Sequence, residues 1–393
     1  MKAIFYRIKI LLFLPLIFGS IFGSQLHVDI HDPIYYYLDR QSTRGVLPFY
    51  MNSSLPLTRG YIAEMLIHLE KERDRLSTID KNILDEYLAD YSYELKDKPY
   101  FQLREEETTY HPFQSWPKLK TGIRDVFAYF ENQEDHHLVV HETNNNLVWL
   151  DVGGIARNEI QNFDGLFIFS YRYSLSTLLS EKVVAYSEAD LYEMLYNEDD
   201  KIPPEFKGGF SGDIREGYYG FKNSRGFDYS YGYLQYSSNI GDVILSMEPL
   251  VWGNAKNSII LSNNVNPFPA LIWRKTIGKS RFTFLHGNLT AVNQDVLLAS
   301  DISDAAEANI INIDKYIVSH RWEITLSDKF QTAFTEMLIY GGRDVELSYL
   351  IPPTLLWSVQ HHTNNSDNIL WFVESEYFPL DGLKLYNTIM IDE

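Results

Sequence analysis

The stretch HRWEITLSDKFQTAFTEMLIYGGR, residues 320–343, alternates with a period of two. Trp322, Ile324 and Leu326 fall on one face, and Arg321, Glu323, Thr325 and Ser327 on the other. The polar turn Ser327-Asp328-Lys329 then reverses the chain into a second strand. Two folds satisfy such a hairpin. The apolar face can enter the dry core of a sandwich, or it can face lipid around a wet interior.

The same period recurs through the larger part of the chain. FIFSYRYSLS sets Phe167, Phe169, Tyr171, Tyr173 and Leu175 against Ile168, Ser170, Arg172, Ser174 and Ser176. FDYSYGYLQY sets Phe227, Tyr229, Tyr231 and Tyr233 against Asp228, Ser230, Gly232 and Leu234, so the tyrosines are expected on the apolar face. Further strands are predicted near 137–142, 146–157, 181–190, 241–250, 256–262, 269–276, 280–290, 330–340, 354–362, 368–376 and 382–391. That makes roughly fourteen strands joined as antiparallel hairpins. The one helical interlude foreseen is SDAAEA at 303–308.

Upstream the period is helical. Ile34, Tyr37 and Leu38 share a face before Gly45, then Ile62, Met65, Leu66 and Leu69, then Ile83, Leu84, Tyr87 and Leu88 behind a Ser77/Asp80 capping box. Three short amphipathic helices form a small bundle. Before them, MKAIFYRIKILLFLPLIFGSIFGS joins Lys2, Arg7 and Lys9 to a short apolar run broken by Pro15 and ending in small residues. That is the pattern of a secretory leader cut near Gly23 or Ser24. The expected organisation is a signal peptide over 1–24, a helical bundle and linker over 25–118, and a β domain over 119–393.

Three features favour lipid outside. Alternation persists for about ten to twelve residues in the best strands, against roughly five or six in soluble strands and nine to eleven in tilted spanning ones. Tyrosine is abundant at 28 residues and sits at strand ends, as Tyr173, Tyr316 and Tyr340 do. The wet face carries Arg172, Arg321 and Glu323, which suit a polar lumen. Glu336 conflicts with this: if Phe334 and Leu338 face lipid, alternation puts its carboxylate there too, unless a bulge or a rim position intervenes.

Cysteine is absent, which removes disulfides and thiolate chemistry. The net charge of −19, with no basic stripe, disfavours a nucleic-acid partner. The 53 acidic residues make any glycosidase-like carboxylate pair uninformative, and no Gly-x-Ser-x-Gly elbow occurs, so no catalytic residue and no cofactor is expected. His136-His137 with His141 lacks metal-site spacing, and DISDAAEAN and TNNSDN lack that of a calcium loop. Sugar-binding chemistry is available at Trp252 beside Asn254, and at Trp357 near His361 and His362; Arg343 after two glycines completes the candidates. Arg343 and Glu336 together suggest an ion pair in the lumen.

The order of segments resembles the capsule-assembly Wzi family of bacterial outer-membrane proteins. The likeness rests on IYYYLDRQSTRG and LPLTRGYIAEML in the helical part. In the β part it rests on VWGNAKNSIILSNNVNPFP, FTFLHGNL, HRWEITLSDKFQTAFTEMLIYGGR, ELSYLIPPTLL and GLKLYNTIMIDE. It implies a transmembrane antiparallel β-barrel with a periplasmic bundle. It also implies a lectin-like, non-enzymatic role in assembling or retaining capsular or extracellular polysaccharide at the cell surface. Family barrels carry more strands than this chain supplies before it stops at IMIDE, so the resemblance implies an incomplete barrel whose closing strands are missing. The bundle also resembles one S-layer-homology repeat, which adds peptidoglycan or periplasmic proteins to the expected partners. The alternatives left open are a passive channel and a soluble secreted glycan-binding β protein.

Overall fold

The computed structural model describes residues 25–47, 50–95, 139–143, 146–161, 164–179, 182–197, 214–218, 221–255, 257–263, 265–291 and 313–393. The leader, the linker, His136-His137 and the SDAAEA segment lie outside them.

Helix α1, Pro33–Thr43, starts at Asp32, whose side chain accepts from the backbone N–H of Ile34, with Pro33 at the first helical position. It stops at Gly45, which holds a φ of +73° and has no room for a Cβ beside the Asp381 carboxylate. Helix α2, Arg59–Lys71, is capped by Thr58, and α3, Thr78–Asp90, by Ser77. A short α4, Ser92–Leu95, follows. Ser77 Oγ accepts from the Asp80 backbone N–H (3.2 Å) and donates to the Asp80 carboxylate (2.6 Å). The rest of that carboxylate is taken up by Arg40 and Arg44, which staples α3 to α1. Burial pushes the Asp80 carboxyl up, but the Ser77 hydroxyl and the two guanidinium groups win and hold it below the usual carboxylate range. Ile34, Leu38, Ile62, Leu66, Leu69 and Leu84 are fully enclosed between the helices.

The rest is mainly β. A two-stranded sheet pairs β1, Ser54–Leu55, with β9, Val251–Trp252. All other strands join one antiparallel sheet of 13 strands. It opens with β2 (Val139–Thr143), β3 (Asn146–Gln161), β4 (Asp164–Leu179) and β5 (Val183–Tyr196). It continues through β7 (Phe221–Ser238), with β6 (Ile214–Tyr218) hanging from it, β8 (Gly241–Met247), β10 (Ala270–Ile277) and β11 (Ser280–Ala291). It ends with β12 (Ile313–Ser327), β13 (Phe330–Gly341), β14 (Asn368–Leu380) and β15 (Leu383–Asp392). Among the described residues β2 and β15 do not pair with each other, so the described sheet is open. No described helix is long and apolar enough to cross a membrane.

The sheet is patterned opposite to the bundle. On β12, Arg321 is 0 % exposed and Glu323 2 %, whereas Trp322 is 52 % exposed and Leu326 64 %. The same holds on β4, where Tyr171, Tyr173 and Leu175 are exposed and Ser170, Ser174 and Ser176 are buried. Charged and polar side chains thus lie on the covered face, beside apolar ones such as Ile317, Met337 and Phe372, while large apolar residues stand on the bare face.

Four expectations need correction. Residues 354–362 do not form a strand but a helix, α5, Leu356–Thr363, because a carboxylate of the sheet receives its first N–H groups. Residues 256–262 form no strand of their own; only Leu261 bridges to Trp252. Tyr231 and Tyr233 lie on the polar face, where the Tyr231 hydroxyl donates to Glu188 of the neighbouring strand and the Tyr233 hydroxyl accepts from the His27 backbone N–H. The proposed Arg343–Glu336 ion pair does not form: Arg343 binds Asp367, and Glu336 lies on the apolar face beneath α5.

Candidate functional site

Two clusters occupy the polar face. The first is closed. Antiparallel register sets Arg281 of β11 opposite Glu323 of β12, and they form a two-point pair at 2.6 and 2.7 Å. Arg321 donates to Thr335 Oγ1 (2.7 Å) and to the Glu374 carboxylate. Its remaining N–H groups reach the N-terminal part of the chain: Ser54 Oγ at 2.7 Å, and Ser53 O and Oγ at 3.0 Å each. Ser53 Oγ donates to Glu323 (2.6 Å), and Gln331 donates to the Tyr50 carbonyl (2.8 Å). The guanidinium of Arg321 also lies 5.7 Å from the Trp252 ring centre. Arg281 with Glu323 and Arg321 with Glu374 are thus paired with each other and tied to residues 53 and 54.

The second cluster, on β4, β5 and β7, is more open. Register places Arg172, Asp190 and Tyr229 in one row across three strands, with Glu188–Tyr231 and Tyr186–Tyr233 in the rows beside it. Arg172 makes a fork on Asp190, with both bonds 2.7 Å, and approaches Glu188 at 3.3 Å. Tyr186 and Tyr231 donate their hydroxyls to Glu188, and Tyr192 donates to Asp190 (3.2 Å). The rings form a ladder. Tyr229 meets Tyr231 edge-on at 5.4 Å, Tyr186 stacks on Tyr233 at 5.6 Å, and Tyr233 stacks on His27 at 4.2 Å. The carboxylates are buried, while Arg172, Tyr186, Tyr229 and Tyr231 remain partly open.

Such a wall offers apolar ring faces rimmed by fixed donors and acceptors. That is the chemistry a pyranose requires, with its apolar face and its polar edge. Between the clusters lies a crevice lined by His27, Ser54, Glu248, Arg274, Arg281 and Thr283. His27 Nδ1 contacts Glu248 at 2.9 Å, and the His27 backbone N–H donates to the Tyr233 hydroxyl at 2.7 Å.

The residues singled out from sequence are not brought to one place. Trp252 is buried in the closed cluster. Asn254 donates its backbone N–H to Glu374 (3.2 Å), while its side-chain oxygen is buried without a hydrogen-bond partner. Arg343 forms a fork with Asp367 just past the end of β13. Trp357 and His361 share α5, their rings 4.4 Å apart, on the opposite side of the sheet. The tyrosine wall went unseen because a tyrosine strand reads as apolar alone. Glu188 and Asp190 on the neighbouring strand were the available signal. Among the described residues no three His, Asp or Glu side chains converge on a metal position.

No protein-family model matches the chain, and no curated protein matches it in sequence.

Proposed function

We propose that this chain is a bacterial outer-membrane β-barrel protein, exported by its leader, that holds surface polysaccharide without cleaving it. The observation that carries the membrane part is the inversion of the sheet: Arg321 and Glu374 are fully buried while Trp322 and Leu326 stand bare. In water such an apolar face would be an aggregation surface; in lipid it is the solvated one.

The connections support an orientation. Turns at 239–240, 278–279, 328–329 and 381–382 are tight, and long segments such as 248–269 and 342–367 join strands at the opposite end, where β3 and β4 also meet closely, between Gln161 and Asp164. The bundle sits at the tight-turn end: Thr43 O accepts from Gly382 N (2.6 Å) and Lys384 pairs with Asp39 (2.6 Å). Outer-membrane barrels keep their short turns on the periplasmic side, which supports a periplasmic bundle within reach of peptidoglycan or periplasmic proteins.

The polysaccharide part rests on the tyrosine–acid wall and on the sequence resemblance. A passive channel is less favoured, because β1 and β9 run main chain across the polar face where a pore would pass. A clean deletion tests the reading: capsule shed into the medium is expected, with the protein in the outer-membrane fraction and heat-dependent in gel mobility. Retained capsule together with ohmic conductance in planar bilayers would favour the channel.

A further inference from the structure

Glu336 appeared misplaced in the sequence, and the structure turns that anomaly into a mounting point. It sits on the apolar face of β13, opposite His320 and Trp371, and is 2 % exposed. Its two oxygens accept the backbone N–H groups of Leu356 and Trp357, each at 3.0 Å, which are among the unpaired donors at the start of α5. The segment between β13 and β14 thus folds back over the apolar side of the sheet. Tyr349 and Leu356 are fully buried against Phe284, Val318, Leu338 and Ile369. Arg343 and Tyr349 both bind Asp367, the latter at 2.7 Å, and this closes the base of the segment.

The outer surface of this cap is apolar as well. Leu347, Ile351, Leu355 and Trp357 are exposed. Residues 347–366 contain no Asp, Glu, Lys or Arg, in a chain whose charged fraction is 22 %. A loop packed on a protein wall and facing water has no physical reason to lack charge and to turn leucines outward. A segment at the boundary between acyl chains and headgroups has both reasons, and Trp357 and the exposed His361 and His362 suit its polar rim.

We propose that residues 344–367 form a lipid anchor mounted on the outside of the sheet, with Leu347, Ile351, Leu355 and Trp357 inserted at the headgroup–acyl boundary of the leaflet at the long-connection end. The anchor rests on the membrane reading of the sheet, and the two fail separately. Its occupant is membrane lipid rather than a protein partner, because the cap continues the bare apolar face of the same strands, where Trp322, Phe334 and Val373 stand exposed. The cap would fix how deep the sheet sits and would resist its sliding along the membrane normal.

The absence of cysteine makes the test direct. Leu355→Cys, Leu347→Cys and Phe334→Cys are each labelled with an environment-sensitive fluorophore, and the full chain is reconstituted in phosphatidylcholine vesicles. Quenching is compared for spin-labelled lipids carrying the label near the headgroup or deep in the acyl chain. The anchor predicts quenching at 355 and 347 that is about twofold stronger with the shallow label than with the deep one. The probe at 334 reports the membrane reading and is quenched by either. If 334 is quenched while 355 and 347 stay dark to both labels, the cap faces water or protein and the anchor is overturned alone. If 355 and 347 respond like deep acyl sites, the boundary placement is overturned. If none of the three is quenched, the membrane reading falls and the anchor with it.

Discussion

The helical bundle and the sheet come from one chain and obey opposite rules. In the bundle, Leu38, Leu66 and Leu84 are sealed inside, and the Arg73–Glu70 and Arg75–Glu72 pairs lie at the surface. In the sheet, Arg321, Glu323 and Glu374 are sealed beside Ile317, Met337 and Phe372, while Trp322, Leu326 and Phe334 stand bare. Hydrophobicity alone does not say which face is inside. The medium on each side decides, and the membrane reading proposed for the sheet would give the two halves of this molecule different media.

The comparison can be broken at its strongest point first. Arg321→Ala strands Glu374 in a buried site, and a loss of about 3–5 kcal/mol is expected, read as a lower urea midpoint of the folded chain in detergent. The double change Arg321→Met with Glu374→Leu is expected to recover most of that loss, since an apolar pair needs no counter-charge. Phe334→Arg asks what the bare face touches. In lipid it costs about 2–4 kcal/mol and lowers the outer-membrane yield; an unchanged yield would mean that the face is wet.

The tyrosine wall comes next. Tyr231→Ala removes one ring face and one hydroxyl donor to Glu188, and about a tenfold weaker binding of oligosaccharides by calorimetry is expected, with the fold intact. The smallest effect belongs to the bundle. The folded-state pKa of Asp80 lies below its unfolded value. The stability it adds is therefore fully present above the unfolded pKa of about 4, and is lost as pH falls through the folded value. Asp80→Asn is expected to cost about 1 kcal/mol near neutrality and to flatten that acid dependence, followed by far-UV circular dichroism in urea.

Much of this architecture was legible locally. Long alternation marked β4, β12 and β13, apolar residues at helical spacing marked α2 and α3, and the Ser77/Asp80 box marked the start of α3. What escaped was non-local. β1 and β9 are two residues each, too short for any period, and exist because Arg321 and Ser53 bring them together. The face of Tyr231 depended on Glu188, 43 positions away. α5 carries apolar residues in a short run that suits strand or helix equally, and Glu336, 20 positions upstream, selects the helix. The resting places of Trp252 and Arg343 followed from partners on other elements, which composition around them did not reveal.

The clamp on residues 50–54 also has a consequence for the order of assembly. Ser54 and Tyr50 leave the ribosome early, yet they are held by Arg321 and Gln331, 267 and 281 positions later. Lys384 and Asp39 are separated by 345 positions. Residues 39–54 therefore cannot be locked until β12 to β15 have paired, and contacts of such span are slow to form. A chain whose strands pair before residues 50–54 are seated leaves Arg321 without its Ser53 and Ser54 partners, and must reopen to seat them. The arrangement makes residues 50–54 a check on the pairing of strands far along the sequence.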